Sequence, residues 1–262
     1  MGVCGVVGDD DAGRQLVRAL GALGADAAGV QTVPGRPTTV KVRVMAHNQQ
    51  LLRCDWEASE AVAAPVLARV GAWLAGALER YDGLILSDYG KGLLTPELAQ
   101  RVIAAGRKAG KPVVVDPKGR DYARYRGATC LTPNELEAAA VTGLAITDEA
   151  SALEAARRLQ HELGTDTLCI TRGAAGVLGL TAAGEHRFLA ARAREVYDVT
   201  GAGDTFVSLL GALLMAGRPF FECVELANLA AGIVVGKVGT ATVTVPELLA
   251  FGGGVRKLYG AD

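Results

Sequence analysis

Four residues, Gly201-Ala202-Gly203-Asp204, stand at the head of an apolar run that begins Thr205-Phe206-Val207. The run has the pattern of a helix, and glycines at a helix's positive end let backbone N–H groups approach and surround an anion. Such a cradle suits a phosphoryl group in flight, whose negative charge spreads over several oxygens that fixed donors stabilise without reorganising. A carboxylate at the edge of the cradle can accept the proton of an attacking hydroxyl, and Asp204 holds that position. Taken alone, Gly-x-Gly-Asp also describes a glycine turn with aspartate as an ordinary helix N-cap.

A second group is Thr132-Pro133-Asn134-Glu135-Leu136-Glu137, in which Asn134 and Glu137 lie one helical turn apart and face the same way. One carboxylate with an amide nearby suits magnesium, which prefers oxygen ligands and retains waters. The same spacing is equally that of a capping box. Cations that could hold an anionic substrate are Lys41, Arg43, Arg53, Lys91 and Lys118. Lys91 and Lys118 follow predicted strand ends, where ligands of open α/β sheets collect.

The elements that must position these groups alternate between short β-branched runs and alanine- and leucine-rich stretches of helical period, the pattern of a parallel sheet covered by helices. Predicted strands are Gly2–Val7, Asp82–Ser87, Val113–Asp116, Thr129–Leu131, Thr167–Thr171, Gly176–Leu180 and Glu185–Leu189. Predicted helices are Asp11–Leu23, Ala61–Leu78, Pro96–Ala109, Ala150–Leu163, the run after Asp204 and Glu222–Val235. Crossovers of this length return the chain parallel, so the fold class is a layered α/β fold. Residues 38–57 break the alternation: Thr38–Ala46 and Gln50–Glu57 alternate polar and apolar around His47-Asn48-Gln49, which predicts a β-hairpin flap outside the main sheet. The glycine-rich tail Phe251–Asp262 is expected to fray.

With 262 residues, half of them hydrophobic and 5% aromatic, the chain can bury one large aliphatic core, and residues 1–262 read as a single domain carrying the flap. A net charge of -1 offers no broad basic surface for nucleic acid. The five cysteines, Cys4, Cys54, Cys130, Cys169 and Cys223, form no C-x-x-C pair and read as buried thiols in a reducing compartment rather than a disulfide framework or zinc site. No apolar run approaches a bilayer span and the start lacks the pattern of a signal peptide, so the expected location is cytoplasmic. Gly5, Gly8 and Gly13 lack the spacing of a dinucleotide fingerprint. There is no G-x-S-x-G for a serine hydrolase, and His47, His161 and His186 have no evident catalytic partner.

Asp198-Val199-Thr200-Gly201-Ala202-Gly203-Asp204-Thr205-Phe206 resembles, in order and spacing, the C-terminal signature of the ribokinase (PfkB) family of sugar kinases. The resemblance implies a ribokinase-like three-layer sandwich with a small β lid, and Asp204 as catalytic base. It implies that Gly201, Ala202 and Gly203 form the anion hole, with Asp198 and Thr200 beside the nucleotide. It also implies that Asn134 and Glu137 organise magnesium, partly through water, with the phosphates of ATP. Thr171 and Gly173, in Thr171-Arg172-Gly173-Ala174-Ala175-Gly176, then lie along the nucleotide, and a potassium site falls near 198–201 and 238–244.

Within the family, the chain is similar to kinase domains that phosphorylate D-glycero-β-D-manno-heptose 7-phosphate at its anomeric hydroxyl, a step toward ADP-heptose and the lipopolysaccharide core. The stretches that carry this include Thr39–Val44, Asn48–Arg53, Ser87-Asp88-Tyr89-Gly90-Lys91-Gly92, Asp116-Pro117-Lys118-Gly119 and Ala230–Thr240. A sugar that already bears phosphate needs cations, and Lys91, Lys118, Arg43 and Arg53 are the candidates for that role. A fructose- or ribose-type kinase and an inactive nucleotide-binding remnant are the alternatives. The family's first strand, with its sugar-binding aspartate and Gly-Gly-x-x-Asn loop, is absent from these residues, and Gly8-Asp9-Asp10-Asp11-Ala12-Gly13 resembles the turn that follows that region. The start therefore reads as internal to the family domain, sugar binding as weakened or lost, and the space after Asp262 as too short for a fused nucleotidyl transferase. Relatives often pair through their flaps, which makes a homodimer an expectation as well.

Overall fold

A computed structural model describes residues 1–46, 49–192 and 196–251. They fall into two compact units, Met1–Tyr81 with Asp88–Ala105, and Asp82–Ser87 with Gly106–Asp262.

In the first unit β1 (Gly2–Gly8) passes through α1 (Asp11–Ala22) to β2 (Asp26–Val33), and the two strands pair in parallel as a sheet of their own. The sequence pattern placed Gly2–Val7 among the strands of the main sheet. Its partner is instead β2, a strand whose Ala27, Ala28 and Gly29 dilute the β-branched signal. The turn between β1 and α1 is organised by Asp10, which caps the helix by accepting from the Gly13 N–H (2.8 Å) and also accepts from the Thr38 N–H (2.8 Å) and hydroxyl (2.6 Å). The hydroxyl first, then these N–H groups, holds the Asp10 carboxyl below the usual carboxylate range. Two further helices, α2 (Ala64–Arg80) and α3 (Pro96–Lys108), follow, α3 ending across the unit boundary.

The flap is present as β3 (Val40–Ala46) and β4 (Gln49–Trp56), antiparallel and separate from the other sheets. The predicted turn at His47-Asn48, like the tail beyond Phe251, lies outside the described residues. Its register pairs Val40 with Trp56, Val42 with Cys54 and Val44 with Leu52, so one face is wholly apolar at these positions. Leu52 is 54% and Trp56 56% exposed. The other face is charged: Lys41 stands opposite Asp55, and Arg43 opposite Arg53.

The second unit holds a six-stranded sheet, β10-β9-β8-β7-β6-β5. Strands β5 (Leu84–Ser87), β6 (Val113–Asp116), β7 (Cys130–Leu131) and β8 (Thr167–Thr171) are parallel, and β9 (Val177–Thr181) and β10 (His186–Leu189) are antiparallel additions. Helices α4 (Glu135–Thr142) and α5 (Glu149–Leu163) each begin on a capping box and end on a left-handed glycine, which explains their sharp boundaries. Helices α6 (Ala202–Met215) and α7 (Phe220–Val234) pack together on one face of the sheet, where Phe206, Val207, Leu210, Val224 and Ala227 meet Val114, Cys130, Cys169 and Val177. Alternation along β8 turns Leu168 and Ile170, both fully buried, to the opposite face. A short helix, α8 (Val245–Phe251), which the sequence pattern did not reveal, packs on α7 through Leu248 and Phe251.

All five cysteines are free, and Cys130, Cys169 and Cys223 share the core beneath α6 and α7. Among the described residues no helix is long and apolar enough to cross a membrane. Contact between α6 and the sheet depends on Gly211, where an added Cβ would meet Ile85 at 2.6 Å. Gly211→Val therefore forces this contact apart and is expected to lower unfolding free energy by about 1–3 kcal/mol, measured as a shift in denaturant midpoint at unchanged slope.

Candidate active site

The site grows from the C-terminal ends of β6, β7 and β8. Beyond β7 the parallel pairing continues: the Thr171 N–H donates to the Pro133 carbonyl (3.0 Å), and Asn134 bridges to Thr171. This fixes the start of α4 beside the end of β8, within the region where open α/β sheets collect ligands. Asn134 is the N-cap of α4; its Oδ1 accepts from the Glu137 N–H (2.9 Å), while Glu137 Oε2 accepts from the Asn134 N–H (3.1 Å). The capping box is thus realised in full. Glu137's second oxygen, Oε1, accepts from Lys118 Nζ at 2.7 Å. Tyr122, buried against this group, has its phenol pushed well up by burial and then by the charges of Glu137, Tyr125 and Asp116.

From Thr171 a cavity of about 290 Å³ opens. The turn after β8 supplies Thr171, Gly173 and Gly176, α6 supplies Ala202, Gly203 and Phe206, and α7 supplies Asn228, Ala231 and Val235. Val196, Val199 and Arg192 also line it. Most of this wall is apolar, with few polar groups to orient a ligand, the usual character of a small-molecule pocket. Asn228 Nδ2 donates to the Ala190 carbonyl (2.8 Å), which sets the orientation of its amide. Asn228 and Arg192 were not singled out from the sequence. The one signal was an amide within the otherwise apolar Leu226–Ile233 stretch.

Gly201, with φ of +83°, is the N-cap of α6, so Ala202, Gly203 and Asp204 are its first three helical residues. Asp204 is therefore not the N-cap, and its side chain is exposed. An added Cβ at Gly203 would meet nothing within 4 Å: the backbone there faces open space. The approach to α6 is tied down by the Thr200 N–H donating to Asp198 Oδ1 (2.9 Å) and by the Tyr197 and Asp198 N–H groups converging on the Val235 carbonyl (2.8 and 3.2 Å). Of the predicted residues, the second unit brings together Asn134, Glu137 and Lys118, and, around the cavity, Thr171, Gly173, Ala202 and Gly203, with Asp204 adjoining.

Residues 1–248 match the family model for pfkB family carbohydrate kinases. The chain belongs to this family. It is 44% identical over 248 residues to the bifunctional protein HldE of Trichlorobacter lovleyi, covering 95% of this chain and 50% of that protein. It is 46% identical over 245 residues to the bifunctional protein HldE of Wolinella succinogenes, covering 94% and 51%. The chain thus spans about half the length of the curated relatives it matches. Among solved structures it is similar to Arabidopsis thaliana ribokinase complexed with ribose and ATP (TM-score 0.77, 22% identity, 95% of this chain and 81% of that one). It is also similar to Escherichia coli phosphofructokinase-2 in complex with potassium (TM-score 0.79, 18% identity, 95% and 80%). These likenesses show the ribokinase-like fold.

The remaining predicted residues of this pfkB kinase lie in the first unit. Arg53 Nε pairs with Asp55 Oδ1 (3.1 Å), Lys41 Nζ bridges Asp55 (3.1 Å) and Glu57 (2.9 Å), and Lys91 pairs with the other oxygen of Glu57. Arg53 and Lys91, expected to hold a sugar phosphate, are thus joined through carboxylates of the flap, while Arg43 stands opposite Arg53 in the strand register.

The segment expected to bind a monovalent cation carries an ammonium of its own. Lys237 Nζ donates to the Thr242 carbonyl (2.7 Å) and pairs with Glu247 Oε1 (2.6 Å), and Glu247 Oε2 accepts from the Thr244 N–H (2.8 Å) and hydroxyl (2.9 Å). Lys237, then Thr244, holds the Glu247 carboxyl down at about 2 from its usual 4.5. A depressed carboxylate stabilises the fold fully above its unfolded pKa, and that contribution is lost as pH falls through the folded one. The loss at Glu247 should run from about pH 4.5 down to about 2. Wild-type stability is expected to fall across this window more steeply than that of Glu247→Gln, as followed by denaturant melts at stepped pH.

Proposed function

We propose that this chain transfers the γ-phosphoryl group of ATP to the anomeric hydroxyl of D-glycero-β-D-manno-heptose 7-phosphate, with Asp204 as general base. The observation that carries the reading is the junction at the start of α6: Ala202 and Gly203 line the same cavity as Thr171 and Gly173, and the next residue is an exposed aspartate. A nucleotide base suits the apolar part of that cavity. The Asn228 carbonyl oxygen is an acceptor matched to an adenine amino group. Phosphates extending toward Gly203 meet the first N–H groups of a helix, which have no carbonyl of that helix to bind. A sugar hydroxyl brought to Asp204 loses its proton to the carboxylate as its oxygen approaches phosphorus in line.

Magnesium, when bound, would neutralise charge on the phosphate oxygens. Glu137 and Asn134 are the residues that would hold it, in part through water. Their donor set is oxygen only, and each Glu137 oxygen keeps a lone pair beyond its present partner, which fits a small hard cation. Among the described residues no group of three or more His, Cys, Asp or Glu gathers to hold a metal. That fits an ion whose other ligands come from nucleotide and water. For the acceptor sugar, the support is the set of subgroup stretches around Lys91, Lys118, Arg43 and Arg53, whose cations suit a substrate that already carries a phosphate. Potassium remains part of the reading through the loop that precedes α6.

We also propose a homodimer through the flap. A lone two-stranded hairpin is marginal in water, and the Val40, Val42, Val44, Leu52, Cys54 and Trp56 face is covered if a second copy presents the same face about a two-fold axis. Trp56→Asp is expected to shift sedimentation from dimer to monomer at micromolar protein; a wild type that sediments as a monomer there rejects the pairing.

Asp204→Asn should cost roughly 10²–10⁴-fold in transfer rate with little change in thermal unfolding. A variant that keeps its rate removes Asp204 from the role of base. Measured beside it, transfer to heptose 7-phosphate should exceed transfer to fructose or ribose, and the reverse order reassigns the acceptor.

A further inference from the structure

Glu137 serves two partners at once, and only one of them is built to stay. Its Oε2 belongs to the capping box, an arrangement fixed by the backbone of α4. Its Oε1 is held by Lys118 Nζ at 2.7 Å, across 19 residues of sequence. The carboxylate side chain is 16% exposed, the lysine 53%.

Lys118 is rigid at its base and free along its arm. The fully buried Tyr125 clamps its backbone from both sides: the Lys118 N–H donates to the Tyr125 hydroxyl (3.2 Å), which donates in turn to the Lys118 carbonyl (3.3 Å). Among the described residues, Glu137 is the polar anchor of the four-carbon arm beyond. An ion pair with so exposed a lysine contributes little. A divalent cation carries twice the charge and takes oxygen ligands directly. It therefore competes well for the same carboxylate.

We propose that Lys118 is an exchangeable counter-ion of Glu137. It neutralises the carboxylate while no metal is present, yields it when a divalent cation arrives, and then delivers its ammonium to the phosphates that arrive with the nucleotide. No bond other than the ion pair is made or broken. The proposal rests on the reading of Asn134 and Glu137 as the metal pair and moves Lys118 from the acceptor's phosphate to the nucleotide's, leaving the acceptor to Lys91, Arg43 and Arg53.

The test uses Mn²⁺ as the probe, titrated by electron paramagnetic resonance into the folded chain without nucleotide. Lys118→Met should bind Mn²⁺ about two- to fivefold more tightly than wild type, which is the value of an exposed pair expressed as affinity, while its phosphoryl-transfer rate falls. On the unmodified chain, acetic anhydride footprinting should show Lys118 acetylated faster once Mn²⁺ is added, and slower again after a non-hydrolysable ATP analogue follows. Equal Mn²⁺ affinity in Lys118→Met and wild type, or a Lys118 footprint indifferent to Mn²⁺, overturns the exchange. Glu137→Gln separates the two levels: if it leaves Mn²⁺ affinity unchanged with the ATP analogue bound, the metal reading itself fails. If it removes Mn²⁺ binding while Lys118→Met changes nothing, only the exchange fails.

Discussion

The hydrogen bond from the Thr171 N–H to the Pro133 carbonyl (3.0 Å) carries parallel pairing past the last residue of β7, and the second unit's candidate chemistry is arranged around it. Without it α4 would begin wherever its own capping box happened to form. With it, Asn134 stands against Thr171, and Thr171 is already part of the cavity that reaches Gly203. One strand register thus relates an oxygen-donor pair to a helix N-terminus more than sixty residues later. Parallel pairing permits this because the strands all point the same way and deliver their following loops to one edge of the sheet.

Strong local signals made most of the fold legible in the sequence. Thr167–Thr171 and Val113–Asp116 are short runs rich in β-branched residues, and both strands form where the pattern places them. Helix α5 was legible from the helical period of its alanines and leucines, and the structure bounds it with a capping box at Asp148 and Ser151 and a left-handed Gly164. What escaped notice had weak local signals and depends on tertiary partners. Strand β2 has alanine and glycine where a strand ordinarily shows branched residues, and it is held by β1. Helix α8, seven residues long, is too short to be stable alone and exists because Leu248 and Phe251 cover α7.

The candidate site divides along the same line. The helix start was readable because a left-handed residue before a first helical turn favours glycine, and the structure has Gly201 as that residue with Ala202, Gly203 and Asp204 following in the turn. The ion pairs were not readable. Nothing in the spacing of Lys118 and Glu137, or of Lys41, Asp55, Glu57 and Lys91, indicates that they meet; only folding brings together charges so distant in sequence.

Those pairings differ in how firmly each lysine is held. A half-buried carboxylate is unfavourable unless something neutralises it, because desolvating an unpaired charge is expensive. Lys118 supplies that neutralisation at Glu137, and Lys237, just after α7, does the same for Glu247 of α8. Lys237 has a backbone carbonyl as well as the carboxylate, and its partner Glu247 is fixed twice more by Thr244, so the loop is closed by bonds that support one another. Among the described residues, Lys118 has Glu137 alone at its tip. A cation held by several mutually oriented acceptors acts as structure, whereas one held by a single carboxylate at the surface is displaced by whatever binds that carboxylate better. On that difference in coordination, the Lys237 contacts act as structure, whereas the Lys118 pair is open to exchange.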